Sequence, residues 1–224
     1  MSADTFDPFE TNLDRDTALS ILQDATNGAD DGELFLERRK SEILSFDDGR
    51  VKTASYDASE GFGLRAVRGE TTGYAHSNTI DDRALRRAVA TTQLAVANGG
   101  GTMASGPVGT NHKLYSDEDP MRQATFPAKM DILREIDDYA RNLDKRVVQV
   151  SATLAASLQE IFILRPEGAL ITDTRPMSRL NVSVIVEENG KREAGTSGAG
   201  GRAGLIGLVA SCLLYTSPSP RDSR

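Results

Sequence analysis

Hydrophobic spacing along the chain switches repeatedly between helical and strand-like periods. Leu19, Leu22 and Ala25 recur on one helical face, flanked by Ala18 and Ile21, and Asp16 is placed to cap the first turn. Asn27-Gly28 ends that helix. The preceding residues 1–15 are polar, include Pro8 and show no period, which predicts a loose N-terminal arm. Short strands are expected over Glu33 to Arg39, Glu42 to Phe46, Val51 to Tyr56, Gly61 to Val67 and Thr71 to His76. Asp48-Gly49 is a strong hairpin signal, and Arg68-Gly69-Glu70 supplies the next turn. Connections this short favour an antiparallel meander.

A second helix starts at Asp81 or Asp82, with Leu85, Ala88, Val89, Thr92, Ala95 and Val96 on its apolar face. Gly99-Gly100-Gly101 stops it, and residues 99–113 read as a linker. A third helix begins near Pro127 and carries Met130, Leu133, Ile136, Ala140 and Leu143 as its buried stripe. Strands are then expected over Val147 to Leu154, Glu160 to Leu164, Ala169 to Asp173 and Leu180 to Glu187, with turns at Pro166-Glu167-Gly168 and Asn189-Gly190. Each half thus reads helix then meander. The expected fold is α+β, with helices packed on antiparallel strands, and residues 16–208 form the domain.

Charge narrows the function. The 224 residues carry 26 Lys and Arg against 33 Asp and Glu, a net charge of −7, which argues against nucleic-acid or anionic-membrane binding. The longest uncharged run, Ala203 to Pro220, loses its apolar character after Tyr215, too short for the roughly 20 residues of a membrane span. With one cysteine and no signal-peptide pattern, a cytoplasmic location is expected. Cys212 to Asp222 (CLLYTSPSPRD) resembles the translated end of a sequencing-library adaptor. Residues 209–224 are therefore expected to be an artefactual tail on a reading frame cut before its natural end.

No catalytic constellation stands out. His76 and His112 lack a partner at metal-ligand spacing, so no metal or catalytic residue is assigned. Gly61-Phe62-Gly63-Leu64-Arg65-Ala66 matches a variant of the dinucleotide fingerprint, but it lies within a strand pattern instead of opening a helix. Glycines there mark a bulge or a close approach. The run Gly195 to Arg202 has Gly where a P-loop needs Lys at position 201. It reads either as a flexible surface loop or as a loop whose glycines admit another chain, with Arg202 able to hold a carboxylate.

Several blocks together resemble one family: Asp31 to Phe35 (DGELF), Gly61 to Val67 (GFGLRAV), Thr72 to Ala75 (TGYA), Arg175-Pro176, Asn181 to Val186 (NVSVIV), Glu187 to Glu193 (EENGKRE) and Gly195 to Arg202. Their order and spacing are similar to the N-terminal domain on the TldD side of the TldD/PmbA metallopeptidases, once called modulators of DNA gyrase. The resemblance implies a zinc-dependent peptidase that processes peptides and assembles with a TldE/PmbA-like subunit or with itself. It also implies that the His-Glu-x-x-x-His zinc motif lies in a later domain, so this chain is expected to hold no zinc and to be inactive alone. Its expected role is a substrate-enclosing and assembly domain, with Gly198, Gly200, Gly201 and Arg202 as a loop near the peptide path. The alternative is a non-catalytic PmbA/TldE-like partner subunit or interaction module.

Overall fold

The computed structural model describes residues 6–96, 115–202, 204, 205 and 208. The elements are α1 (Pro8–Thr11), α2 (Arg15–Ala25), β1 (Asp31–Asp47), β2 (Arg50–Arg68), β3 (Thr71–Ser77), α3 (Asp82–Val96), α4 (Phe126–Leu143), β4 (Val147–Leu164), β5 (Leu170–Glu188) and β6 (Lys191–Gly201). The strands form one antiparallel sheet in the order β3-β2-β1-β4-β5-β6, and the fold is α+β as the pattern predicts. The expected linker and tail, residues 99–113 and 209–224, lie outside the described residues.

The hairpin chemistry holds. Asp48 and Gly49 take φ of 49° and 78°, and Asn189 and Gly190 take 53° and 76°, the paired positive φ values of the tight turns that suit strand twist. Strand number differs. The expected short strands merge in pairs, so β1, β2, β4 and β5 run 17, 19, 18 and 19 residues. Polar residues within these long strands find partners across the sheet. Arg38 Nε donates to Glu160 Oε2 at 2.9 Å, and Gln159 Nε2 donates to Glu37 Oε2 at 2.9 Å.

These long strands thread two compact units. The first takes its described residues from 1–39, 58–112 and 159–174, the second from 40–57, 113–158 and 175–224. In the first, Ala18, Ile21, Leu22 and Ala25 of α2 and Ala84, Leu85 and Ala88 of α3 pack on Leu34, Leu36, Phe62 and Leu64. The helix cap is Asp14, not Asp16: its Oδ1 accepts from the Thr17 N–H at 2.8 Å. The expected loose arm is also corrected over its described part. Asp7 caps α1, Phe6 and Leu13 are buried, and the Phe6 N–H donates to the buried Glu160. Two aromatic edge contacts, Phe6 and Phe9 on Phe162, hold the segment that hydropathy left unplaced.

A charged cluster closes this unit. Asp31 accepts from Arg165 Nη2 at 2.5 Å and from Arg65 Nη2 at 2.7 Å, while Glu33 accepts from Arg65 Nε at 3.1 Å. Burial alone would raise the Asp31 carboxyl, but the Arg165 hydrogen bond and charge, with Arg65, hold it below the usual carboxylate range.

In the second unit, Met130, Leu133 and Ile136 of α4 pack on Leu44, Phe46, Ala152, Leu154 and Leu180, joined by Leu205 and Leu208. The stripe ends earlier than its period suggests: Leu143, in the last turn, is 63% exposed. Two polar residues share the buried face instead. Lys129 donates to Glu42 and, at 2.7 Å, to the Met121 carbonyl, so its buried charge is paired and hydrogen-bonded. Asp137 accepts from Arg141 Nε one helical turn on, at 3.0 Å.

Two outcomes test this account. Leu133→Ala removes a fully buried side chain and should destabilise the chain by about 2–5 kcal/mol in urea titrations; a loss below about 1 kcal/mol would contradict the packing. Because the folded-state pKa of Asp31 is lowered, its stabilisation is present above the unfolded-state value and is lost as pH falls through the folded one. Asp31→Asn should therefore lower the urea midpoint at about pH 7 while leaving the midpoint near pH 2 close to that of the parent.

Candidate functional site

In the second unit the strand face opposite the α4 core is polar. Strand alternation puts Leu44, Phe46, Ala152, Leu154 and Leu180 in the core and turns Ser45, Asp47, Ser151, Thr153, Asn181 and Ser183 the other way. Ser45 and Thr153 hydroxyls lie 3.4 Å apart across the β1–β4 pair. Asp47 accepts from Ser151 Oγ at 2.5 Å and Gln149 Nε2 at 3.0 Å, and these two bonds, Ser151 first, hold its carboxyl below the usual range.

Towards β6 this face sinks into an open hollow of about 510 Å³, lined by Ser151, Thr153, Arg179, Asn181, Thr196 and Gly198 among others. Register explains the hollow. Asn181 pairs with Gly198 and Ser183 with Thr196. A Cβ on Gly198 would stand 2.6 Å from Asn181 Oδ1 and 3.2 Å from the Leu180 carbonyl oxygen, so the Asn181 amide lies over the space that glycine leaves. Arg179 Nε donates to that same Oδ1 at 3.0 Å. The volume falls in the range of about 300–1,000 Å³ usual for ligand sites.

The glycine-rich segment is a strand and not the loop expected. Residues Lys191–Gly201 pair with β5 from Glu188↔Lys191 to Ser178↔Gly201. Glycines were read as loop formers, yet small residues also suit a strand that other backbone must approach closely. Gly198 and Gly200 face tight surroundings, whereas Gly195 and Gly201 look onto open space. Arg202 follows the strand and stacks its guanidinium over the Tyr115 ring at 5.0 Å from the centroid, a contact between residues distant in sequence.

β6 ends the sheet, so among the described residues its outer edge has no strand beside it. Edge strands are commonly blunted by charge or proline. Here Lys191, Arg192 and Glu193 sit at one end, while Ala194 to Gly201 has neither. Asn181, Ser151 and Thr196 were not singled out from sequence; the polar positions alternating with Leu180 and Val182 carried the only signal.

His76 stacks on Tyr74 with ring centroids 5.8 Å apart, and His112 lies outside the described residues. Among the described residues no three His, Cys, Asp or Glu side chains converge. No helix of the described residues is long and apolar enough to cross a membrane.

Comparison with known proteins gives two family-model matches: PmbA/TldA metallopeptidase domain 1 over residues 32–98 and the PmbA/TldA metallopeptidase central domain over residues 119–212. The chain is 35% identical over 199 residues to a metalloprotease TldD homologue of Haemophilus influenzae, covering 87% of this chain and 41% of that protein. It is 34% identical over 196 residues to one of Buchnera aphidicola subsp. Schizaphis graminum, covering 86% and 40%. The chain thus spans about 40% of the length of these relatives. Among solved structures, TldE from Thermococcus kodakarensis matches with TM-score 0.64 at 14% identity, covering 88% of this chain and 46% of that one. A candidate DNA-gyrase modulator from Thermotoga maritima matches with TM-score 0.68 at 14% identity, covering 84% and 42%. At that identity the likeness concerns the fold.

Removing the Ser151 hydroxyl tests the electrostatics of the polar face. Ser151→Ala should raise the Asp47 carboxyl towards the ordinary value of about 4, read by NMR titration of the side-chain carboxyl carbon. An unmoved titration would show that Ser151 is not its main support.

Proposed function

The chain belongs to the PmbA/TldD metallopeptidase family, and from that premise we propose that it is the N-terminal substrate-holding and assembly portion of a TldD-like zinc metallopeptidase that processes peptides. The observation carrying this reading is the β6 edge. An extended polypeptide placed beside Ala194 to Gly201 would be gripped through main-chain hydrogen bonds, and the small side chains leave room for its own. Such pairing is indifferent to sequence, which suits a peptidase acting on unfolded segments.

The hollow beside the edge takes alternate side chains of that polypeptide. In an antiparallel addition every second residue points to the face carrying Asn181, Ser183 and Thr196. Hydroxyl and amide groups there favour polar side chains without demanding one of them. Zinc, as metal-activated water, belongs in this proposal to the parent enzyme and to no residue assigned here.

The sequence relatives favour the TldD side over the PmbA/TldE-like reading, since both named above are TldD homologues. Fold likeness to TldE is consistent with pairing between similar subunits, so a TldE/PmbA-like chain or a second copy is the proposed assembly partner.

Gly195→Lys tests the edge directly. Gly195 has open space where a Cβ would go, so the variant should keep its stability within about 0.5 kcal/mol. A lysine in mid-edge should nonetheless weaken binding of a fluorescent unfolded peptide by roughly tenfold, measured by anisotropy. Unchanged peptide affinity in a folded Gly195→Lys chain would place the peptide elsewhere.

A further inference from the structure

The first unit contains a second hollow, of about 210 Å³, on the strand face turned away from its own helices. Leu34, Leu36, Phe62 and Leu64 face the core, so alternation turns Phe35, Glu37, Gly61 and Gly63 outward. Gly61 and Gly63, two apart on one strand, have no side chains, and this lets the Tyr74 ring and the Ser77 backbone close over them at the side of the hollow. A Cβ on Gly63 would lie 2.8 Å from Tyr74 Oη and 3.1 Å from its Cε2, and one on Gly61 would lie 2.6 Å from the Ser77 carbonyl oxygen. The fingerprint-like glycines of the sequence therefore serve close packing within β2 and β3.

The trough walls have a definite chemistry. Phe35 stands on β1, and Tyr74 with His76 stacked at 5.8 Å stands on β3, opposite Arg65 and Gly63 in the register. Glu37 and Glu60 lie in the lining, which contains no lysine or arginine. One Glu37 oxygen accepts from Gln159, which orients that carboxylate. Glu60 and Tyr74 are exposed. Ring faces attract cations through their quadrupole, and carboxylates do so through charge and hydrogen bonding. At 210 Å³ the space is below the roughly 300 Å³ of the smallest drug-sized pockets, a size for one side chain.

We propose that the trough lined by Phe35, Glu37, Glu60, Tyr74 and His76 is a recognition subsite for one basic side chain, lysine or arginine, of a bound polypeptide. The proposal rests on the peptide-handling reading above and adds a preference that edge pairing alone lacks. Charge complementarity names the occupant: an acidic side chain would meet Glu37 and Glu60, and an aliphatic one would supply neither with a counter-charge. The negative net charge of the chain, −7, favours the approach of basic segments.

Two unstructured fluorescent peptides that differ only in having lysine or norleucine at one central position test this. Binding to the full 224-residue chain is measured by anisotropy at low ionic strength, for the parent chain and for the double variant Glu37→Gln, Glu60→Gln. The lysine peptide should bind about tenfold more tightly than the norleucine peptide, and the double variant should abolish that difference while leaving norleucine binding unchanged. Glutamine keeps the shape of both side chains, and an unshifted urea midpoint verifies the fold. Equal affinity of the two peptides for the parent chain overturns the subsite and leaves the edge reading intact. Absence of binding by either peptide overturns both. A lysine preference that survives in the double variant also overturns the assignment, because the carboxylates are then not its source.

Discussion

Side-chain alternation on long strands is the constraint on which the rest depends. Along β1 the fully buried residues from Gly32 to Phe46 all have even numbers, and the odd positions stay half-buried or exposed. A slip of one residue would carry Leu34, Leu36, Leu44 and Phe46 to the polar side and bring Glu33, Glu37 and Asp47 into the cores. Each fully buried leucine contributes about 1.5–3 kcal/mol relative to exposure, so the register is strongly specified. Both hollows follow from that register, since it decides which glycines lie opposite which side chains.

Chemistry concentrates on the strand faces left by the helices. In one unit, Asn181 over Gly198 and hydroxyls from β4, β5 and β6 form a polar hollow next to an unblunted edge. In the other, a trough lies between aromatic rings and two carboxylates. Both present hydrogen-bonding groups and charge on a strand face. In the proposed reading these features serve to hold an extended segment.

Local chemistry was the most legible part of the sequence. Asp48-Gly49 and Asn189-Gly190 announced their turns, and the spacings around Leu22, Leu85 and Leu133 announced their helices. Strand continuity was hidden, because a residue such as Gln159 looks like a break until its partner Glu37 is known from distant sequence. The arm was hidden for a related reason: Phe6 is isolated in its own neighbourhood and gains meaning only beside Phe162. Glycine misled in one direction. At Gly195 to Gly201 it suggested a loop, where the fold uses it in an edge strand. The hollows depend on which strands are neighbours, which no periodicity reveals.

Hydrogen–deuterium exchange across Lys191 to Gly201, with and without a saturating unfolded peptide, tests the central claim most directly. Main-chain pairing along β6 predicts slower exchange of alternate amides in this segment, since those pointing away from β5 gain carbonyl partners. Peptide binding that leaves these amides unchanged, while slowing exchange elsewhere, would contradict the account.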